Sequence, residues 1–224
     1  MKRDYLNGTD YTVEQKKGMY HFNSDTELLG RFVIVKRNDT VLDIGCASGA
    51  LLLYCAKHHP SSLCGIDLFD EVIESAGENL AYNGVEAELI KSRVQDFKGR
   101  KFSLIVCNPP YFNTKETSLI NPNPYLAAAR HETFLKPDEL FASAQRLLAD
   151  QGRFCIVHRA SRIHELFETA SAYGMRCTRM KIAYYAHGKT AVSAAMEFRI
   201  SQERQMVIEP PAYMDDRNTF DERG

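Results

Sequence analysis

Short apolar segments alternate with amphipathic segments from Thr40 onward, and this alternation constrains the fold more than any other feature of the sequence. Strands are predicted over residues 40–44, 62–67, 86–90, 102–107 and 152–158, and helices over 49–58, 69–82, 137–149 and 161–173. Strands joined by helices pair in parallel, because the helix returns the chain to the same edge of the sheet. The pattern therefore predicts an α/β fold with helices on both faces of a mostly parallel sheet.

Two longer strand-like segments, 176–184 and 191–200, follow the alternating part of the chain. The turn-forming sequence His187-Gly188-Lys189 joins them, which predicts an antiparallel pair. The complete sheet is then expected to contain seven strands, of which one is antiparallel to the others.

The length of 224 residues fits one large domain with small extensions. We expect residues 1–39 to form an N-terminal extension with a helix that begins at Ser24 and packs on the ligand site. Residues 40–200 would form the α/β domain, and residues 201–224 a polar tail that is partly disordered or folded back.

Composition excludes several classes of protein. The N-terminus lacks the layout of a signal peptide, and no apolar run is long enough to cross a membrane, so a cytoplasmic protein is expected. The six cysteines form no C-x-x-C pair, which favours buried free thiols and predicts no metal site. Nothing in the sequence indicates an oligomeric state.

The net charge is −1, but the charge is distributed unevenly along the chain. Residues 151–200 carry eight basic and three acidic residues, a balance of +5. This balance is compatible with a positive face that meets a polyanion, and equally with an ordinary scatter of solvated charge.

The first strand of the alternating region ends in the glycine turn Asp43-Ile44-Gly45-Cys46-Ala47-Ser48-Gly49. Gly45 allows a tight turn, and Gly49 allows a ligand or a helix to approach closely. The spacing D-x-G-x-x-x-G differs from the G-x-G-x-x-G of dinucleotide enzymes, and the lysine of a P-loop is absent. We therefore expect a nucleoside with a charged amino-acid tail, surrounded by Cys46 and the turn, with Asp43 facing the cationic amino end. The alternative is a strand, turn and helix without a ligand.

Acidic residues follow the next two strands. Asp67 ends one of them, where a carboxylate can accept hydrogen bonds from both ribose hydroxyls, and the adjacent Leu68 belongs to the same candidate site. Asp96 follows the other, where it can accept from an adenine amino group while Phe97 or Val94 lies against the ring. The alternatives are a helix cap for Asp67 and a solvated loop position for Asp96.

A further buried strand runs directly into Asn108-Pro109-Pro110-Tyr111-Phe112. Two prolines fix φ and remove two backbone donors, so the side-chain oxygen of Asn108 and the carbonyl of Pro109 can accept both hydrogens of an –NH2 group. This grip suits an adenine amine or a glutamine amide, because it aims a delocalised lone pair at an incoming methyl group. Tyr111 would stack on the planar acceptor, which for a base requires flipping it out.

Three other segments accompany this motif. They are residues 22–29, which fit the pattern F-x-x-D-x-x-L-L, and the sequences Ala129-Arg130-His131-Glu132 and Val157-His158-Arg159. With the glycine turn and the N-P-P-Y motif, they make the chain similar over nearly its whole length to the bacterial tRNA1(Val) (adenine-37-N6)-methyltransferase family. The resemblance implies a class I, Rossmann-like methyltransferase fold, S-adenosylmethionine as cofactor with S-adenosylhomocysteine as product, and N6 of a tRNA anticodon-loop adenosine as acceptor.

The resemblance also implies roles for individual residues. Cofactor contacts are implied for Asp25, for Gly45 and Gly49 in the turn, for Asp67 at the ribose, and for Asn108, which meets both cofactor and acceptor. The acceptor grip is implied to consist of Asn108, Pro109, Pro110 and Tyr111, with Phe112 beside it. Cys46-Ala47-Ser48 replaces the Thr-Gly-Asn-like turn of many relatives, and Asp67 stands where many have glutamate.

Three basic or titratable side chains are candidates for contacts to the acceptor. Arg130 and His131 would touch phosphate or line the acceptor pocket, and the alternative is an exposed polar turn. Arg159 would meet the RNA backbone, and the alternative is ordinary charge on a helix surface.

Other functions use the same N-P-P-Y chemistry. N5 methylation of a protein glutamine is one, although such enzymes usually carry a separate N-terminal helical domain. Methylation of an rRNA guanine amine is another, typical of relatives with a larger N-terminal half. A non-catalytic cofactor-binding protein is disfavoured, because Asn108 and the glycine turn are both intact.

Overall fold

The computed structural model describes residues 3–111, 135–202 and 205–221. The strands are β1 (Arg3–Tyr5), β2 (Thr12–Glu14), β3 (Thr40–Ile44), β4 (Ser62–Asp67), β5 (Glu88–Lys91), β6 (Phe102–Cys107), β7 (Leu148–Arg159), β8 (Met175–Tyr184), β9 (Ala191–Ile200), β10 (Val207–Ile208) and β11 (Ala212–Tyr213). The helices are α1 (Ser24–Phe32), α2 (Ala50–Ala56), α3 (Asp70–Tyr82), α4 (Pro137–Leu147) and α5 (Ile163–Ala172). All elements predicted between Thr40 and Ile200 are present, with ends that shift by up to four residues.

The long strands form one sheet in the order β5-β4-β3-β6-β7-β9-β8. Strand β9 is antiparallel to both of its neighbours, and the other pairs are parallel. The predicted seven-stranded, mostly parallel sheet with one antiparallel strand is therefore confirmed. The chain moves outward from β3 through β4 to β5, and then returns to the other side of β3 at β6. This reversal leaves a crevice at the carboxyl ends of β3 and β6.

Two apolar layers cover the sheet, one on each face. Neighbouring residues of a strand point to opposite faces, so Leu104 and Val106 of β6 join one layer while Ile105 and Cys107 join the other. Helices α1 and α2 contribute to the first layer, and α4 and α5 to the second. Helices on both faces of the sheet were predicted, and this is confirmed.

Helix α1 begins at Ser24, as predicted, and packs directly on α2. Gly30 of α1 lies against the ring of Tyr54 of α2, and a Cβ atom on Gly30 would come within 2.3 Å of that ring. The two helices can pack this closely only because residue 30 has no side chain. The start of α1 is thereby held near the carboxyl ends of the strands.

The described part of the C-terminal tail folds back onto β8 and α1. Strands β10 and β11 both pair in parallel with β8, and they extend the sheet beyond the seven predicted strands. The buried Nζ of Lys181 donates to the carbonyl of Phe220 at 3.0 Å, and Arg217 forms an ion pair with the buried Glu27 of α1. The tail thus joins the last strand pair to the first helix.

Most of the positive charge of residues 151–200 is used inside the fold. Five of the eight basic side chains there take part in ion pairs with described residues. These pairs join Arg153 to Asp39, Arg162 to Glu165, Arg179 and Lys181 to Glu209, and Arg199 to Glu197. The balance of +5 therefore does not translate into an exposed basic face of that size, because Arg153, Arg179 and Lys181 are buried and paired, while the other five basic side chains remain at least partly exposed.

Two predictions from composition can be compared with the described residues. All six cysteines are free thiols, and all but Cys177 are buried, as expected. Within the part of the chain that the structure describes, no helix combines the length and apolar character needed to cross a membrane.

Candidate active site

A cleft opens at the carboxyl ends of β3, β4 and β6, at the point where the strand order reverses. Its wall is formed by residues 43–48, 66–69, 92–95 and 107–110, together with Thr26 at the start of α1. The open space, measured out to bulk solvent, is about 1210 Å³. Crevices at such reversal points are the usual ligand sites of open α/β sheets, and this one has room for a nucleoside with an amino-acid tail.

The glycine turn forms the floor of this cleft. Gly45 has a φ of +74°, which favours glycine, and a Cβ atom built on it would meet nothing within 4 Å. The backbone N–H groups of Gly45 and Cys46 both donate to the carbonyl of Ile66, at 2.9 and 3.0 Å. Gly49, with a φ of +81°, faces Ala76 of α3 and does not line the cleft. The sequence left open whether a ligand or a helix approaches Gly49 closely, and the structure shows a helix, α3.

Asp43 is fully buried in the wall of the cleft. Neither of its carboxylate oxygens has a hydrogen-bond partner among the described residues. Burial raises the pKa of this carboxyl well above its usual range, and the nearby charge of Asp67 raises it further. An unpartnered buried carboxylate is costly, and a cationic ligand would remove that cost. The geometry therefore fits the expected cationic group.

Asp67 lies at the end of β4 and is held by backbone donors. Its Oδ2 accepts from the N–H of Ala47 at 3.1 Å, and its Oδ1 accepts from the N–H of Leu68 at 2.7 Å. Burial raises the pKa of Asp67, while the hydrogen bonds from these backbone groups oppose that rise. The backbone N–H of Phe69 also donates to this carboxylate, so three of its roughly four acceptor sites are used and one remains for a hydroxyl group of a ligand.

Cys46, beside the turn, is almost fully buried and lines the cleft. Burial raises the pKa of its thiol well above the usual range, and the charges of Asp43 and Asp67 act in the same direction. The residue therefore presents a neutral thiol to the cleft rather than a thiolate.

The structure does not place Asp96 or Phe97 in the cleft. Asp96 is exposed, and Phe97 is buried beneath the loop with its ring centroid 6.2 Å from that of Phe102. The preceding residues Val94 and Gln95 line the cleft instead, and the Nε2 atom of Gln95 is buried without a partner among the described residues. Of the two residues predicted to lie against the ring, Val94 lines the cleft and Phe97 does not, and Asp96 lies outside the cleft.

Asn108 lies in the wall of the cleft with its side chain held at both ends. Its Nδ2 donates to the hydroxyl of Thr26 at 3.0 Å, and its Oδ1 accepts a hydrogen bond from the hydroxyl of Tyr111. Pro109 and Pro110 continue the wall beyond Asn108. The N-P-P-Y motif and the start of α1 therefore meet at one end of the cleft.

Tyr111 packs against the end of β7. Its ring lies edge-on to His158, with centroids 4.9 Å apart, and the guanidinium carbon of Arg159 lies 5.3 Å from its centroid. Arg162 donates to the carbonyl of Tyr111 at 3.3 Å. His158 is 2% exposed, and burial, with the charge of Arg162, lowers its pKa to about 4. The histidine is therefore neutral at physiological pH.

Asp25 faces β9 rather than the cleft. Its Oδ1 accepts from the hydroxyl of Ser193 at 2.5 Å, and it is not among the residues that line the cleft. The next residue, Thr26, takes the position facing Asn108. Thr26 and Gln95 were not predicted as site residues. Each is adjacent in sequence to an acidic residue that was predicted, Asp25 or Asp96, and this adjacency is the only signal that the sequence offered. Three other predicted site residues, Phe112, Arg130 and His131, lie outside the described residues.

The chain was compared with protein families and with named relatives. The sequence profile of the methyltransferase small domain matches residues 10–170. The chain is 27% identical over 209 residues to the tRNA1(Val) (adenine(37)-N6)-methyltransferase of Dyadobacter fermentans, which covers 91% of this chain and 86% of the relative. It is 30% identical over 170 residues to the protein of that name from Aeromonas salmonicida, covering 74% and 70%. The resemblance inferred from the motifs is confirmed.

Solved structures share the fold at lower sequence identity. A predicted O-methyltransferase from Agrobacterium tumefaciens superimposes with a TM-score of 0.65 and 16% identity, covering 89% of this chain and 98% of that one. A tRNA m1G37 methyltransferase from M. jannaschii gives a TM-score of 0.63 and 15% identity, covering 90% and 55%. At these identities the likeness concerns the fold, which is the predicted Rossmann-like methyltransferase fold.

Proposed function

We propose that this chain, which belongs to the family of the methyltransferase small domain, transfers a methyl group from S-adenosylmethionine to N6 of adenosine 37 in a tRNA. The observation that carries the proposal is the position of Asn108 and Pro109 in the wall of the same cleft as Asp43 and Asp67. An acceptor amine and a nucleoside cofactor would thus be held side by side. The names of the relatives support adenine as the acceptor.

The residues of the cleft fit S-adenosylmethionine at three points, and when bound this cofactor supplies a methyl group carried on a positively charged sulfur. The unpartnered carboxylate of Asp43 would compensate the positive charge of the amino-acid end. The remaining acceptor site of Asp67 would accept from a ribose hydroxyl. The unpartnered Nε2 of Gln95 would donate to a ring nitrogen of the adenine. The contacts of Asp43 and Gln95 would each satisfy a buried polar atom.

The acceptor amine would be gripped by Asn108 and Pro109. The Oδ1 of Asn108 and the carbonyl of Pro109 would each accept one amine hydrogen, which draws the nitrogen lone pair out of the ring system. The bound cofactor would supply the methyl group to this nitrogen and leave as the neutral thioether, while Asn108 and Pro109 hold the nitrogen in place and one of its protons leaves to water. Because the methylated amine is acidic, these residues contribute mainly orientation and exclusion of water rather than base strength.

Tyr111 and Arg159 support a nucleic acid as the acceptor. A flipped base would stack on the aromatic ring of Tyr111, as unpaired bases do on tyrosine in many RNA-binding sites. The exposed Arg159 lies beside that ring, so its guanidinium would meet the phosphates that flank the base. We propose a tRNA anticodon loop as the partner, and the cytoplasm as the compartment where the two meet.

The test is methyl transfer from radiolabelled S-adenosylmethionine to total tRNA, rRNA and protein from a strain that lacks the gene. We expect label in tRNA alone, released by nuclease digestion as N6-methyladenosine. Label in protein glutamine or in rRNA guanosine would replace adenine with one of the two other acceptors, and no transfer to any of the three would refute the proposal.

A variant at Asn108 separates catalysis from cofactor binding in the same assay. Asn108→Ala is expected to abolish transfer while the Kd for S-adenosylmethionine stays within about threefold of the wild-type value. The matched control is Asn38→Ala, which alters an exposed asparagine outside the cleft and should leave both measurements unchanged. Equal loss of transfer and of cofactor binding in Asn108→Ala would show that Asn108 is mainly structural.

A further inference from the structure

We propose that Thr26 is a positioning residue that fixes the orientation of the Asn108 side-chain amide, an inference that rests on the methyl transfer proposed above. The two ends of an asparagine amide are nearly identical in shape, so hydrogen-bond partners decide which end is the oxygen. Only the orientation that presents oxygen to the acceptor can receive an amine hydrogen. The orientation of Asn108 is therefore a requirement of the reaction.

The cap of helix α1 sets the direction of the hydrogen bonds. The Oδ1 atom of Asn23 accepts from the backbone N–H groups of Asp25 and Thr26, at 3.1 Å each. Backbone N–H groups can only donate, so the end of the Asn23 side chain that faces them must be its oxygen. The Thr26 hydroxyl lies 3.4 Å from that oxygen and donates its proton to it.

Once the Thr26 proton is committed to Asn23, the Thr26 oxygen can only accept from other groups. It accepts from Nδ2 of Asn108 at 3.0 Å and from the backbone N–H of Asn23 at 3.4 Å, which uses both lone pairs. A flipped Asn108 would place its oxygen against this acceptor and its –NH2 group toward the acceptor amine. Both contacts would then be unfavourable, so the cap selects the productive orientation.

Burial makes this selection strong. Thr26 is 4% exposed, so water cannot easily replace the hydroxyl as a partner of Nδ2. Nδ2 of the half-buried Asn108 has one other acceptor among the described residues, the Tyr20 hydroxyl, at the longer distance of 3.5 Å. Without the shorter bond to Thr26 the amide can shift, and displacements of about 1 Å at a catalytic group can reduce a rate about 100-fold. Thr26 would contact neither the acceptor nitrogen nor the methyl carbon, and it would act only through Asn108.

The test compares Thr26→Val, which keeps the shape of the side chain, with Thr26→Ser, which keeps the hydroxyl. We expect Thr26→Val to lower kcat by roughly 10- to 100-fold, while KM for the RNA and the Kd for S-adenosylmethionine stay within about threefold. Thr26→Ser should retain a kcat within about threefold of wild type. Loss of cofactor binding in Thr26→Val would overturn the inference and assign Thr26 to the cofactor instead.

The double variant Thr26→Val/Asn108→Ala distinguishes positioning from a general loss of structure. If Thr26 acts only by orienting Asn108, the double variant should be no slower than Asn108→Ala. Once the Asn108 amide is gone, Thr26 has nothing left to orient, so its loss adds no further effect. A further loss of about the same factor as in Thr26→Val alone would show an independent, structural role. Residual transfer by Asn108→Ala is measured at high enzyme concentration under single-turnover conditions.

A second readout does not depend on turnover. The side-chain NH2 signals of Asn108 in a ¹⁵N spectrum, identified by their loss in Asn108→Ala, should exchange with solvent more slowly in wild type than in Thr26→Val. Equal exchange rates would contradict the inference even if the enzyme proved inactive on every acceptor. Wild-type inactivity combined with the expected slow exchange would count against the proposed function alone.

Discussion

The hydroxyl of Tyr111 donates a hydrogen bond to the side-chain oxygen of Asn108. That oxygen is the atom proposed to accept a hydrogen from the acceptor amine. In this structure the Tyr111 hydroxyl therefore occupies the position at Asn108 Oδ1 that the acceptor amine would take. In the proposed reaction the hydrogen bond from Tyr111 must break when the acceptor binds. The ring of Tyr111 meanwhile lies edge-on against His158 and is not among the residues that line the cleft.

Removal of the Tyr111 hydroxyl should help rather than harm acceptor binding. Tyr111→Phe keeps the ring for stacking but no longer competes for Asn108, so we expect a lower KM for RNA and a kcat within about threefold of wild type. Tyr111→Ala loses the stacking surface, which contributes roughly 1–3 kcal/mol per base in comparable sites, and should raise KM more than tenfold. Steady-state kinetics on unmodified tRNA compare the two. Similar losses in both variants would mean that the hydroxyl itself is needed.

Replacement of Asp43 should have opposite effects on cofactor binding and on stability. Asp43→Asn removes the carboxylate that faces the cationic end of the cofactor, so the Kd measured by calorimetry should rise roughly 10- to 100-fold. Without cofactor, the raised pKa of Asp43 means that wild-type stability is lost as pH rises from the unfolded value toward the folded one. The stability of Asp43→Asn relative to wild type should therefore increase with pH, and a constant difference across pH 3 to 8 would contradict this.

The buried His158 should make the protein sensitive to mild acid. Its pKa is about 4 in the fold against an ordinary value of 6.5, so the unfolded chain binds the extra proton between these two pH values. The contribution is fully present above pH 6.5 and is lost as pH falls toward 4, by about 3 kcal/mol. Urea titrations at several pH values should show a shallower decline for His158→Gln than for wild type. Parallel declines would mean that His158 is already charged or hydrated in the fold.

Gln95 and Asp96 form a matched pair for testing which residue meets the adenine ring. Gln95→Ala removes the buried donor, and the Kd for S-adenosylmethionine should rise roughly tenfold, the equivalent of one hydrogen bond. Asp96→Ala alters an exposed side chain and should change the Kd by less than twofold. The reverse ranking would restore the interpretation based on sequence.

The ion pair between Arg217 and Glu27 should stabilise the fold more than an exposed pair does. Glu27 is 2% exposed, and loss of Arg217 removes one of the two cationic partners that it has among the described residues. We expect Arg217→Ala to lower Tm by roughly 2–4 °C, whereas Lys91→Ala, which breaks a pair on the surface, should leave Tm unchanged. Thermal unfolding followed by circular dichroism provides the comparison. Equal shifts would show that the contact to Glu27 contributes no more than an exposed pair.

The sheet could be predicted because its strands repeat a local signal. Buried parallel strands are short apolar runs between helices, and every buried residue of β3 and β6 except Asp43 carries that signal. Strands β10 and β11, with two residues each, lack any such period, and they form only because β8 offers an unpaired edge. The ion pair of Glu27 with Arg217 spans 190 positions, so no local pattern in the chain could reveal it.

At two points of the candidate cleft, the residue that faces the cleft is the neighbour of the one predicted from the sequence. Successive residues at a helix start point about 100° apart, so Asp25 reaches Ser193 of β9 while Thr26 reaches Asn108. A motif gives the position of such a pair along the chain but not the face that each member presents. In the loop after β5 the same limit applies, because the loop conformation decides that Gln95 rather than Asp96 faces the cleft.

The contact between the tail and α1 has a consequence for the order of events during synthesis. Helix α1 carries Thr26, which bonds to Asn108 in the cleft wall. The same helix is supported by the ion pair between Glu27 and Arg217, which lies nearly two hundred residues later in the chain. A ribosome that has made only the first 200 residues has made the seven long strands of the sheet but not this support. Helix α1 therefore gains its ion pair with Arg217 only after the seven long strands have been synthesised.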